Sequence, residues 1–303
     1  MRIIVTGASG AFGSSAAQGL LAKVPASDLI LITRQPQKLA RFAALGATVR
    51  YGDFDNAASL KAAFAGGEKM LMISGTRVGK RIPQHTNAIN AAVAAGVQHI
   101  VYTSFVGATP DNPSLAVKDH TATEALLRGS GVAWTALRDS HYQDAIVQNI
   151  GPLVLKSGRW AASSAEGKVA CVTRQDCIDS AVAVLTTPGH RNTVYNITGP
   201  ELMTYRQAAA ILSEVAGKPV EYVVVTDDDM YAYFDSLGVP REAVDDNVVE
   251  GVPWSSDDMV SFERTIREGK FAVISDDVRK LTGHAPQSLR SFAMEHRAML
   301  AAQ

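Results

Sequence analysis

The segment Gly7-Ala8-Ser9-Gly10-Ala11-Phe12-Gly13 limits this chain more than any other feature, because it leads out of an apolar strand and into a helix. The strand is predicted over 3–6 and the helix over 14–22. In that setting each glycine has its own task. Gly7 permits the tight turn, Gly10 lets a pyrophosphate approach the backbone amides at the helix start, and Gly13 lets helix and strand pack closely. The spacing Gly-x-x-Gly-x-x-Gly has a wider first gap than the usual dinucleotide fingerprint. With Ser9, Ala11 and Phe12 between the glycines, the turn is expected to hold the phosphates of a dinucleotide.

The rest of the first half repeats the same alternation. Strands are predicted over 29–33, 48–51, 69–73, 99–103 and 132–137, with helices over 37–45, 57–64, 86–95 and 120–129. The strands are short and apolar throughout rather than alternating, as a sheet covered on both faces by helices requires. Right-handed crossovers then give an α/β Rossmann fold, a doubly wound parallel sheet. Residues 1–140 are assigned to this dinucleotide domain, with segments returning to it between 169 and 200, at 169–172 and 193–197. Residues 141–303 are read mainly as a smaller, mostly helical substrate domain capping the carboxyl ends of the strands. It includes helices over 176–185 and 204–216 and a strand over 221–225. Its tail carries Met230, Tyr231, Tyr233, Phe234, Trp254, Met259 and Phe262, which suit a flat apolar substrate or ordinary core packing.

The end of the second strand selects the cofactor. An acidic residue there would bind the ribose 2′-hydroxyl and repel a 2′-phosphate. The chain instead has Thr33-Arg34-Gln35, with Lys38 a turn later, so NADPH (NADP+) is expected rather than NADH. Asp53 and Phe54, with Gly52 after the third strand, are read either as flanking the adenine or as a simple turn. Composition excludes other partners. The 303 residues carry 29 basic and 30 acidic side chains without a charge block, which argues against nucleic acid and anionic membranes. No apolar run approaches the roughly 20 residues of a membrane span, and a cytoplasmic protein is expected. Cys171 and Cys177 are read as buried thiols, and His85, His99 and His141 show no metal-ligand spacing. The run Asp227-Asp228-Asp229 is read as a helix cap, and a Gly-x-Ser-x-Gly hydrolase elbow is absent.

Taken together, several motifs resemble the NmrA-like branch of the atypical short-chain dehydrogenase/reductases. They are Val5-Thr6-Gly7-Ala8-Ser9-Gly10, Arg34, Tyr51-Gly52-Asp53 and Ser74-Gly75, then His120 through Glu124, Trp134 through Tyr142, and Tyr195 through Gly199. Within that branch the chain is most similar to bacterial NADPH:quinone and triphenylmethane dye reductases. The resemblance implies NADPH in the cleft, with Thr6, Ser74 and Gly75 among its contacts. It also admits members that bind the dinucleotide as regulators without turnover.

The usual Tyr-x-x-x-Lys catalytic pair is missing. Anchored on Glu124, the lysine position is His120 and the tyrosine position is Ala116. A ketone reduced to an alkoxide needs a strong acid, whereas a quinone yields a phenolate with pKa of about 10, and a cationic dye yields no oxyanion. The loss therefore favours quinone-like or conjugated aromatic acceptors held against the cofactor by proximity. His120 is a candidate ribose contact or proton donor, or a plain polar residue at the helix start; Lys118 is an alternative donor, and Tyr142 is a candidate acceptor contact at the mouth of the cleft or a core-packing residue. Thr103, Ser104 and Phe105 end the fifth strand, where side chains face the nicotinamide. The expected partner is a small aromatic substrate, and a homodimer suits the class. The alternatives are a catalytically silent NADP(H) sensor and a reductase of an aromatic carbonyl or benzylic ether metabolite.

Overall fold

The computed structural model describes residues 1–244 and 255–303. Along the chain the strands are β1 (Ile3–Val5), β2 (Leu29–Thr33), β3 (Thr48–Tyr51), β4 (Lys69–Met72), β5 (His99–Phe105) and β6 (Ala133–Asp139). Five follow: β7 (Arg159–Ala162), β8 (Lys168–Val169), β9 (Thr193–Ile197), β10 (Met203–Thr204) and β11 (Glu221–Val224). Seven of them form one parallel sheet in the order β3-β2-β1-β4-β5-β6-β9. The order reverses between β1 and β4, and that switch point leaves a crevice above the carboxyl edge.

The helices over the sheet are α1 (Ala11–Leu21), α2 (Ala40–Ala44), α3 (Ala57–Phe64), α4 (Arg81–Ala94), α5 (Leu115–Gly129) and α7 (Arg174–Thr186), while α6 (Gly151–Ser157) joins a separate core around Trp160. Successive residues of each strand enter opposite cores, as the pleat dictates. Ile3 and Val5 join Leu20, Leu137 and Ala181 on one face, while Ile4 joins Leu60, Ile89, Tyr102 and Leu127 on the other. That two-sided burial explains why the strands read as unbroken apolar runs.

The remaining helices are α8 (Tyr205–Ala216), α9 (Asp227–Ser236), α10 (Ser256–Arg267), α11 (Asp277–Thr282), α12 (Leu289–Glu295) and α13 (Arg297–Ala301). With the two small sheets, several of them build a third core around Trp160, Tyr205, Leu212, Phe271 and Phe292. α8 starts on a capping box, in which the Thr204 hydroxyl accepts the Gln207 amide and the Gln207 side chain accepts the Thr204 amide. Thr226, just before Asp227-Asp228-Asp229, forms the corresponding box with Asp229 at the head of α9.

Two expectations are corrected, and one strand was missed. The segment 169–172 does not return to the main sheet, because the ladder edge beside β6 is taken by β9. Lys168 and Val169 pair antiparallel with β10, and Val172 makes only an isolated bridge to Tyr142. β7, which pairs in parallel with β11, was not anticipated. α5 begins at Leu115 rather than at 120, since the Ser114 hydroxyl accepts the Val117 amide and caps the helix five residues earlier. His120 thus sits well inside the helix, facing the core.

Among the tail residues, Met230 and Phe234 pack with Val239 and Val260 in a small separate cluster, joined by the partly buried Tyr231 and Met259. Tyr233 is exposed, and Trp254 lies outside the described residues. Only Phe262 among those placed reaches Phe105 at the end of β5, with ring centroids 5.7 Å apart.

Candidate functional site

A cleft of about 520 Å³ opens over the carboxyl ends of β1, β2 and β4. Its floor is the glycine turn, with Thr6, Gly7, Ser9, Gly10, Ala11, Phe12 and Gly13 all on its wall. Arg34 and Lys38 line one end beside Asp53 and Phe54, and Ser74 and Gly75 line the other. Thr76, Arg77 and Gln84 also border it and were not anticipated. They follow the fourth strand on a polar loop and the first turns of α4, where periodicity carries no mark of a ligand.

The floor fits a dinucleotide phosphate. α1 starts at Gly10, in extended backbone, without a side-chain cap and without an acidic residue in its first turn. The leading amides therefore lack intrahelical partners, and the positive end of the helix faces the cleft. Gly7 has φ +59°, a conformation that favours glycine, and its carbonyl accepts the Gly10 amide at 2.9 Å. A Cβ on Gly13 would lie 2.4 Å from that carbonyl oxygen. Among the described residues no group of three or more His, Cys, Asp or Glu side chains could hold a metal ion.

Several hydroxyls here build the cleft. Thr6 Oγ1 donates to the Leu71 carbonyl at 3.2 Å and accepts the Ile73 amide at 3.0 Å, locking β1 to the end of β4. Ser9 and Thr33 hydroxyls meet at 2.7 Å, and Thr33 Oγ1 accepts the Gln35 amide, shaping the turn that presents Arg34. The Asp53 carboxylate accepts the Asp55 amide, and Asp55 in turn pairs with Arg77 and accepts from Gln84.

The end of β5 differs from expectation. Thr103 and Ser104 are buried: Thr103 Oγ1 accepts the Ser74 amide at 2.9 Å, and Ser104 donates to Glu124 at 2.7 Å. Glu124 also binds Arg138 and Arg128, so it clamps α5 to β5 and β6. Phe105 packs between His120 and the rings of Phe262 and Phe271.

Behind this wall lies a polar network whose proton positions follow from one group. Arginine can only donate, so the Arg81 Nη1 contact at 3.2 Å makes His120 Nε2 an acceptor. The single proton of the neutral ring is then on Nδ1, donated to the Tyr102 hydroxyl at 2.8 Å. His85 repeats the pattern, with Nε2 accepting the Gly75 amide at 3.1 Å and Nδ1 donating to Thr123 at 2.8 Å. Thr123 passes its own proton to the Asp119 carbonyl. Burial, then the Arg81 charge, lowers His85 to about 3. Burial, then Arg81 and His85, holds His120 well below the usual histidine range. Sequence reasoning treated these histidines separately because 35 positions divide them in the chain, and only the fold joins them.

His120 is therefore a neutral residue with both nitrogens engaged inside the protein, an arrangement unlike a proton donor. Lys118 points to solvent from the outer face of α5. Tyr142 is turned inward: its hydroxyl donates to Asp139 Oδ2 at 3.0 Å, and the Arg174 guanidinium lies over its ring. Burial raises Asp139 to about 7.

A titration follows from His85. Its folded pKa lies below its ordinary 6.5, so between those values the unfolded chain binds more protons and stability falls as pH falls. At pH 7 the imidazole is neutral in both states. The stability difference between wild type and His85→Gln should shrink by about 2 kcal/mol from pH 7 to pH 5, since the variant escapes this loss. Urea unfolding of both proteins at the two pH values measures it, and a constant difference contradicts the assignment.

The NAD(P)H-binding family profile matches residues 7–188. Quinone oxidoreductase 2 of Escherichia coli is 39% identical over 243 residues, covering 80% of this chain and 84% of that protein. The structure of the NADPH-dependent quinone oxidoreductase of Escherichia coli complexed with NADPH superposes with a TM-score of 0.87 at 34% identity, covering 99% of each chain. The Citrobacter sp. triphenylmethane reductase complexed with NADP(H) gives a TM-score of 0.84 at 33% identity, over 97% of this chain and 99% of that one.

Proposed function

The chain belongs to the NAD(P)H-binding family, in its NmrA-like branch, and from that premise we propose an NADPH-dependent reductase of quinone-like or conjugated aromatic electrophiles. The amides at the start of α1 would hold the pyrophosphate, Arg34 and Lys38 the 2′-phosphate, and Asp53 and Phe54 would flank the adenine. When bound, the reduced nicotinamide supplies a hydride. The chain's own part is to hold the acceptor flat and exclude water.

The observation that carries the acceptor class is the engaged, neutral state of His120 together with alanine at position 116. No strong acid stands at these two positions of α5. An acceptor whose product is only a phenolate, or no oxyanion, is compatible with that arrangement, whereas an aliphatic ketone would need its acid from another element. Phe105, Phe262 and His141 form an aromatic wall at the carboxyl end of β5, with Phe262 and His141 centroids 5.0 Å apart. The relatives named as quinone and triphenylmethane reductases support the same class.

The test is NADPH oxidation against menadione, benzoquinone, crystal violet, an aromatic ketone and an aliphatic ketone. Turnover of a quinone or the dye more than tenfold faster than either ketone is expected. Ketone reduction without quinone or dye reduction overturns the acceptor class. Tight NADPH binding with no turnover of any acceptor favours a regulatory sensor instead.

A further inference from the structure

Asp258 lies in the first turn of α10, which is tied to the start of α5. The Leu115 amide donates to Ser261 at 3.2 Å, and Thr265 donates to Asn112 at 3.0 Å. The Ala116 backbone faces the Asp258 carboxylate, yet Asp258 Oδ1 is shielded from solvent and has no hydrogen-bond partner. Arg81, at the head of α4, is the cation acting on it, and Arg81 Nε is also shielded and without a partner. A buried acceptor and a buried donor, both unsatisfied, mark a seam suited to a polar occupant.

This seam adjoins the cleft. Arg81 Cγ lies 3.8 Å from where a side chain on Gly75 would begin, on the side of β1 opposite Arg34. Arg81 also holds His120, whose ring is 6.0 Å from that of Phe105. Asp258 thus lies one helical turn before Phe262 of the aromatic wall, on a helix tied to α5, and neither position 116 nor 120 of α5 carries an acid.

We propose that Asp258 is the proton donor to the oxygen of a quinone-type acceptor, with Arg81 beside it as a second contact for that oxygen. This rests on the reductase reading above. The acceptor gains two electrons and a proton as hydride, the cofactor is oxidised, and negative charge collects on the quinone oxygen. The Asp258 O–H bond then breaks as a new O–H bond forms on the acceptor, and water reprotonates the carboxylate.

The surroundings suit the role. Burial raises Asp258 to about 6, Arg81 on α4 and the Ala116 amide oppose that rise, and Asp119 on α5 adds to it. The neighbouring His120 stays neutral, and Asp257 on the same helix is engaged with Tyr231. An acid near 6 transfers its proton downhill to a phenolate of pKa about 10.

The test is the pH dependence of kcat/KM for menadione at saturating NADPH, with an infrared carboxyl titration alongside. Wild type should gain about tenfold between pH 7.5 and 6 and level off below, following protonation of one acid. Asp258→Asn should lose that gain, and Asp257→Asn should keep it. The infrared difference between wild type and Asp258→Asn should contain one carboxyl band titrating near pH 6. A flat wild-type profile, an acid-side gain retained in Asp258→Asn, or no such band overturns the proposal. Absence of turnover with any quinone strikes the reductase reading itself.

Discussion

Replacing Gly13 with alanine is expected to weaken NADPH binding by about 100-fold and to destabilise the fold by about 1–3 kcal/mol, the range for overpacking a dense core. The added Cβ would sit 2.4 Å from the Gly7 carbonyl oxygen and 2.8 Å from the Ala8 Cα, distances that real Cβ atoms do not reach. Both neighbours are backbone, so no side chain can rotate away. The Gly7 carbonyl is itself held by the Gly10 amide, and Gly7 already occupies the left-handed region at φ +59°. The helix must move instead, and its unpaired amides then leave the position that meets the phosphates. Gly129→Ala is the control, because nothing lies within 4 Å of that Cβ and the helix gains a better former. NADPH titration by fluorescence and thermal unfolding measure both effects. A Gly13→Ala protein that binds NADPH like wild type refutes the close-packing argument.

The same glycine shows why the cofactor end of the molecule was legible in the sequence. Strand, turn and helix start lie within eleven consecutive residues, from Ile3 to Gly13, so local rules reach the whole phosphate site. Arg34 is equally local, one residue beyond β2. The acceptor end was not legible in that way. Its wall and network join Arg81, His85, Tyr102, Phe105, His120 and Phe262 from four elements, and no spacing rule connects them.

Side-chain direction was the second difficulty. Thr103, Ser104 and Tyr142 end strands or follow them at the right height for a ligand. Each nevertheless has a partner within the protein, the Ser74 amide, Glu124 and Asp139 respectively. The start of α5 was misplaced by five residues: Ser114, which caps the helix, directly follows the turn-rich stretch Thr109-Pro110-Asp111-Asn112-Pro113. Likewise 169–172 looks like a sheet strand by composition, but pairing is decided by which edge is open, and β9 occupies it.

Reversing the charge at position 34 should invert the cofactor preference. Arg34 is exposed on the rim of the cleft and makes no ion pair among the described residues, so its guanidinium is available to an incoming phosphate. The Thr33 hydroxyl shapes the turn that carries it, through the Gln35 amide at 3.0 Å. A charge-assisted hydrogen bond contributes about 1.5–3 kcal/mol, which is roughly 10- to 100-fold in affinity. Arg34→Ala should therefore raise KM for NADPH about tenfold, leaving Lys38 to hold the phosphate alone. Arg34→Glu removes the same contact and adds repulsion, so KM should rise about 100-fold or more. NADH has no 2′-phosphate, and the new carboxylate can accept its ribose 2′-hydroxyl, so its KM should stay level or fall. Kinetics with both cofactors and a single quinone measure the switch. If Arg34→Ala leaves KM for NADPH unchanged while Lys38→Ala raises it, the phosphate belongs to Lys38. If neither substitution moves it, discrimination does not reside at the end of β2.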